Sequence, residues 1–231
     1  MGEHECESEG HKPCVYQVPI FNHLEDEQMA EIAEVIQSDT YKKGEIIYRA
    51  GDQSDSLYVV RSGRVRIYRL SESGKEQLVR FLSLGDFTGE LALFSESVHE
   101  SYAEAVEDTE VCLIARADLQ RLLLNFPSIS LKILAELSSR LEKSEKQTTR
   151  VSTEKVETRL ALFIAECLDG EGSSMEFVLP MSKRDLASFL GTTPETISRK
   201  LTDFEQAGYI RQKPHRKIEV LNLDELLWGQ D

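Results

Sequence analysis

Glu195, Ser198 and Arg199 stand at i, i+3 and i+4 in the stretch TTPETISRKLTDFEQ, from Thr192 to Gln206. On a helix these three share one face. Arginine bonds guanine O6 and N7 in a fork, glutamate accepts from cytosine N4, and serine can meet either partner type. Thr192, Thr193 and Lys200 lie beside them, and Lys213 and Arg216 follow in a basic stretch, placed to hold phosphates. The whole chain of 231 residues carries a net charge of −14, which argues at first against nucleic acid. Distribution matters more than the total. Residues 181–217 hold 8 basic and 4 acidic side chains, so this one segment is locally positive.

The second candidate chemistry is that of thiols. Cys6, Cys14, Cys112 and Cys167 are widely spread, with no CxxC pair. Cys167 lies beside Phe163 and Ile164 on an apolar helical face and reads as a buried core thiol. In a reducing compartment a disulfide among the others would be transient and sensory. Arm residues Glu3, Glu5, Glu7 and Glu9 would be expected to raise nearby thiol pKa values and slow oxidation. The N-terminus, MGEHECESEG, is polar and acidic, unlike a secretory signal. No run nears the roughly 18 apolar residues of a membrane helix, so the expectation is a cytoplasmic protein without membrane contact. No P-loop, G-x-S-x-G, HExxH or dinucleotide fingerprint is present, and no enzymatic activity is expected.

The elements that must position these groups can be read around them. Ala187, Gly191 and Ile197 have helix-turn-helix spacing: a small residue for close approach, a glycine for the turn, an apolar residue to lock the second helix. Ser182 caps the first helix with Asp185 three residues on. Thr193 or Thr192 caps the second, and Pro194 takes its first position, where a missing N–H costs nothing. Ile197, Leu201 and Phe204 form its inner face, and Gly208 ends it. YIRQ…RKIEVL reads as a hairpin around KPHR, a wing. Upstream, TEKVETRLALFIAECLD is amphipathic and MEFVLP is a short strand. From Ser128 to about Thr149, Leu134, Leu137 and Leu141 recur at helical spacing with Ile133 beside them, a stripe suited to a dimer seam. From Gly44 to Leu113, glycines punctuate short apolar runs about every ten residues, the rhythm of a β-roll or sandwich. In RVRIYRL, Val65, Ile67 and either Tyr68 or Leu70 lie near the core and the arginines face out.

Three stretches, GDQSDSLYVVRSGRVRIYRL, GKEQLVRFLSLGDFTGELALF and LASFLGTTPETISRKLTDFE, resemble the CRP/FNR superfamily of bacterial transcription regulators, and the likeness covers nearly the whole chain. The resemblance implies an α+β architecture. Its parts are an N-terminal arm over 1–18, a cyclic-nucleotide-binding-like β-roll over 19–127, a dimerisation helix over 128–150 and a winged helix-turn-helix over 151–231. It also implies a homodimer on double-stranded DNA, with RNA polymerase as a further partner for an activator. Glu195, Ser198 and Arg199 match the E-x-x-S-R signature of the FNR type, which implies a palindrome of TTGAT-like half-sites.

Two departures bear on the signal. Gly89, Glu90 and Leu91 match the nucleotide cassette of the cAMP-binding branch, but its arginine position is Glu100, followed by Ser101. A carboxylate there repels a cyclic phosphate and removes its bidentate partner, so cAMP is not expected. FNR proteins hold a [4Fe–4S] cluster on closely spaced N-terminal cysteines and one β-roll cysteine. Here Cys14 and Cys112 match the last N-terminal and the β-roll positions, while the others are unmatched. Clusters favour four thiolates. A metal or Fe–S centre would have to combine Cys6, Cys14 and Cys112 with His4 or His11. The pattern is closer to the cysteine-poor FNR-like proteins of Gram-positive bacteria, for which the resemblance implies a dithiol–disulfide switch. It leaves Cys6 and Cys14 both open as the partner of Cys112, and a regulator of the same fold that answers to a small ligand stays the alternative beside the metal or Fe–S centre.

Overall fold

A computed structural model describes residues 18, 20–90, 97–169 and 175–229. The arm over 1–18 lies outside them apart from Val18, and so do His4, Cys6, His11 and Cys14. The chain divides into two compact units, Met1–Leu70 with Val79–Ser138, and Ser71–Leu78 with Ser139–Asp231.

The first unit opens with α1 (Asp26–Ala33), where the Gln28 side chain reaches back to accept from the Glu25 backbone N–H at 3.0 Å. The strands follow: β1 (Ile36–Tyr41), β2 (Ile46–Tyr48), β3 (Gln53–Ser54), β4 (Ser56–Ser62), β5 (Val65–Leu70), β6 (Glu76–Leu82), β7 (Phe87–Thr88), β8 (Ser97–Val98), β9 (Tyr102–Ala105) and β10 (Thr109–Ala115). They form two four-stranded sheets, β1-β10-β4-β7 and β2-β9-β5-β6, and a small β3-β8 pair. Strand side chains alternate between faces, and β4 uses both. Val60 joins Tyr48, Val65, Ile67, Leu82 and Ala103 in one core cluster. Leu57 and Val59 join a second cluster with α1, β7, β10, α2 (Arg116–Asn125) and the start of α3 (Pro127–Thr153). Burying each such aliphatic side chain stabilises the fold by about 1.5–3 kcal/mol.

The long helix expected over 128–150 spans Pro127–Thr153. Its apolar stripe differs from the one expected. Ile133 is 2% exposed, packed with Ile129 into the second cluster, and Leu137 leans on the same cluster. Ile133 is therefore a core residue of the protomer. A 3.6-residue helix with both faces apolar gives a stripe that periodicity alone assigns ambiguously. Among its exposed residues, Leu131, Leu134, Ser138, Leu141, Glu145, Thr148 and Ser152 follow one another alternately three and four apart. That is the a/d spacing of a coiled-coil seam.

The second unit contains α4 (Val156–Asp169), β11 (Glu176–Val178), α5 (Lys183–Phe189), α6 (Pro194–Gln206), β12 (Ile210–Lys213), β13 (Lys217–Val220) and α7 (Leu223–Trp228). Its sheet runs β11-β13-β12. Leu160, Ile164, Leu186, Ile197, Leu201, Phe204, Ile218 and Leu226 are buried, so all four helices and the hairpin contribute to its core. Among the described residues no helix is long and apolar enough to cross a membrane.

Candidate functional site

Helices α5 and α6 are built as their caps dictate. Ser182 Oγ accepts from the Asp185 backbone N–H at 3.1 Å. Thr193, not Thr192, caps α6, accepting from the Thr196 backbone N–H at 3.3 Å, with Pro194 at the first turn. The turn between them needs Gly191. Its φ is +66°, and an added Cβ would stand 3.3 Å from Val151 Cγ1. Ala187 is 1% exposed at the crossing, as its small size requires.

On α6, Ile197, Leu201 and Phe204 are buried, which turns the opposite face outward. Glu195 and Arg199 are exposed and Ser198 is half-buried. Neither Glu195 nor Arg199 forms an ion pair within the described residues, so both charges are available to a ligand. Lys200 differs from its neighbour. It meets Glu157 at 2.6 Å and Asp203 at 3.6 Å, and the Glu157 hydrogen bond chiefly raises its pKa. Its ammonium is engaged inside the unit, which counts against the phosphate role expected for it. Thr193 likewise spends its hydroxyl on the cap.

The wing is a tight hairpin. His215 and Arg216 take φ values of 60° and 61° between paired Lys213 and Lys217, and the Lys217 N–H points to Pro214 O at 3.4 Å. Two successive positive φ values make a type I′ turn, which favours Asn-Gly. Arg216 is exposed at its tip. Lys213 is 2.5 Å from Glu176 and 3.2 Å from Glu219, and Lys217 is 2.8 Å from Glu176. Hydrogen bonds from Lys213 and then Lys217 pull the Glu176 carboxyl down to about 2. Lys213, expected at a phosphate, is thus half-neutralised by two carboxylates that spacing alone could not reveal.

The cassette residues Gly89, Glu90, Glu100 and Ser101 line a cavity of about 140 Å³ in the first unit. Gly89 has φ +82°, and a Cβ would fall 2.3 Å from Ser56 O. Arg69 meets Glu100 at 2.5 Å and Arg80 meets Glu90 at 3.5 Å. Each arginine of the cavity already faces a carboxylate, a poor setting for a cyclic phosphate. The sequence reading missed Tyr48 and His99, whose rings stack at 3.7 Å in this wall, with Tyr48 Oη 2.8 Å from Thr88 Oγ1. Burial lowers the His99 pKa, against the pull of Asp52, Asp55 and Glu90.

Cys112 lies mid-strand on β10, opposite Ser38 of β1 and Val59 of β4. It is 1% exposed within the cluster that holds Ile129 and Ile133. It is disulfide-bonded, and its partner lies outside the described residues. A sulfur in a disulfide is no thiolate, so in this covalent state Cys112 does not fit a metal or cluster. Cys167 is in no disulfide and is half-buried, less enclosed than expected.

Residues 38–126 match the cyclic nucleotide-binding domain and residues 158–227 the Crp-like helix-turn-helix domain. The chain is 32% identical over 213 residues to the probable transcriptional regulator flp of Lacticaseibacillus casei, covering 92% of this chain and 96% of that one. It is 32% identical to the fumarate and nitrate reduction regulatory protein of Vibrio cholerae, over 88% of this chain and 83% of the relative. The structure of FixK2 from Bradyrhizobium japonicum superposes with a TM-score of 0.72 at 30% identity, over 83% of this chain and 96% of that one.

Proposed function

Because this chain belongs to the CRP/FNR family of transcription regulators, we propose that it binds an FNR-type palindrome as a homodimer and answers to redox state. The observation that carries the DNA reading is the unpaired, exposed Glu195 and Arg199 flanking Ser198 on the outer face of α6. The first turns of such a helix meet base edges in the major groove. Arg199 reads guanine and Glu195 cytosine of a TTGAT-type half-site. Thr192 and Arg216 hold phosphates, and Lys213 joins them when DNA draws it from Glu176. Two copies joined along the outward seam of α3 would set their recognition helices about 34 Å apart, one turn of duplex. An activator placed this way would meet RNA polymerase beside its site.

For the signal, Cys112 and an N-terminal cysteine, Cys6 or Cys14, exchange between two thiols and one disulfide. Oxidation forms the S–S bond and releases two protons and two electrons to a peroxide or a more oxidising disulfide; a cellular dithiol reverses it. Because Cys112 packs with Ile129 and Ile133, the bond alters the packing under the start of α3. A relative named for fumarate and nitrate reduction agrees with a redox-linked role. A metal or Fe–S centre would require Cys112 as thiolate, so it belongs to a reduced form, and no step is assigned to it. A cyclic nucleotide is not proposed.

The test is binding to a TTGAT palindrome at fixed salt, reduced and then mildly oxidised. A reversible difference abolished by Cys112→Ser is expected, and equal binding in both states sinks the redox reading. Arg199→Ala should lower discrimination at its guanine by about 1–3 kcal/mol. A uniform loss across sequences would instead make Arg199 a phosphate contact.

A further inference from the structure

At the end of α3, in the second unit, lies a cavity of about 180 Å³ that no part of the regulatory reading uses. Its charge is the reverse of the chain's. Lys143, Lys146, Arg150 and Arg159 line it, against the one carboxylate of Glu166. Glu166 is taken up by Arg150 at 2.5 Å, and Lys146 meets Glu142 at 2.6 Å. Lys143 and Arg159 pair with no carboxylate among the described residues.

Arg159 is the unusual member. It is only 8% exposed, yet of its five N–H donors one is engaged, Nη1 to Val151 O at 3.2 Å. Its Nε is buried without a partner. A guanidinium shut away from water without a counter-ion is costly, and a full negative charge entering the cavity would relieve it. The carbonyls at the end of α3 compensate in part, since a helix C-terminus carries only a partial negative charge. The apolar wall is aromatic. Phe163 and Phe189 meet edge to face, 5.9 Å apart at 60°, an arrangement that a third ring can extend.

We propose that this cavity binds a small aromatic monocarboxylate. The carboxylate would take the free edge of Arg159 with Lys143, and the ring would pack on Phe163 and Phe189. The volume suits one ring and is below the usual range of about 300–1,000 Å³ for larger ligands. The site also adjoins the helix-turn-helix turn. Gln147 Nε2 donates to Phe189 O at 3.0 Å, and a Cβ added at Gly191 would meet Val151 Cγ1 at 3.3 Å and Arg159 Nη1 at 3.6 Å. A ligand here ties the end of α3 to α4 and α5, and so bears on how firmly α6 is held.

The probe is 4-fluorobenzoate, added to the full chain and followed by ¹⁹F line broadening and calorimetry. Saturable binding is expected, displaced by benzoate and not by neutral benzamide. Arg159→Gln should weaken it about ten- to a hundredfold, the worth of a charged hydrogen bond. Should Arg159→Gln fail to fold, the surface double variant Lys143→Ala with Arg150→Gln decides, with its melting curve as the control for folding. Absence of saturable binding to the wild type, equal binding of benzamide, or undiminished binding to the double variant would each overturn the proposal. Loss of DNA affinity in the double variant with a shallower salt dependence, together with no saturable probe binding to the wild type, would make these cations phosphate contacts and overturn it as well.

Discussion

Glu176 sits between Lys213 and Lys217 and is held ionised down to about pH 2. At neutral pH it therefore cancels positive charge at the wing without exception. Glu176→Gln should release Lys217 and leave Lys213 with Glu219 alone, tighten DNA binding and steepen the dependence of log K on log salt by about one unit. Filter binding over a salt series checks this, and an unchanged slope would remove Lys213 from the phosphate set. Lys200 is the complementary case. Its place on α6 suggested a phosphate contact, but a residue at i+5 from Glu195 turns toward Glu157, which only the tertiary fold brings near. Arg159 was illegible for the same reason. In the sequence it is one arginine in an amphipathic helix, and nothing local says that its head is enclosed.

Among the elements, α6 and the wing were the most legible, because caps, a first-turn proline and turn glycines act within a few residues. Helices α1, α2 and α7 went unread, although Glu25 with Gln28 and Asn222 with Glu225 carry capping signals. Each is short, and short helices owe their stability to packing more than to local pattern. The stripe of α3 was misassigned at Ile133, and that suggests a paired experiment. Ile133→Ala should cost about 2–5 kcal/mol of stability in denaturant unfolding. Leu134→Glu with Leu141→Glu should leave protomer stability nearly unchanged while shifting the sedimentation of the chain from dimer to monomer. The wing makes a different bargain. His215 and Arg216 occupy left-handed backbone that costs each on the order of 1 kcal/mol. Replacing them by Asn and Gly should raise stability by about 1 kcal/mol in thermal unfolding. The same change should weaken DNA binding uniformly, because the Arg216 charge is lost.

At the scale of the molecule, the order of β-roll, long helix and winged helix-turn-helix was legible from rhythm and from motif. The chemistry of its interior was not, since the ion pairs Arg69–Glu100 and Arg80–Glu90 depend on strands far apart in the chain. An acidic chain with a small basic face should also bind DNA with a strong preference for its site, because most of its surface repels the polyanion. The seam of α3 carries this furthest. Leu131, Leu134 and Leu141 crowd its first half, while Ser138, Glu145, Thr148 and Ser152 complete its outward row. In a two-fold dimer Glu145 meets its own copy, and like charges cannot close that end of the zipper. The pair would behave as calipers, riveted at the leucines and loose toward the tips. Such calipers accept more than one gap. In a series of palindromes whose spacer varies by a base pair either way, Glu145→Leu should narrow the tolerated spacing, and the native chain should span it.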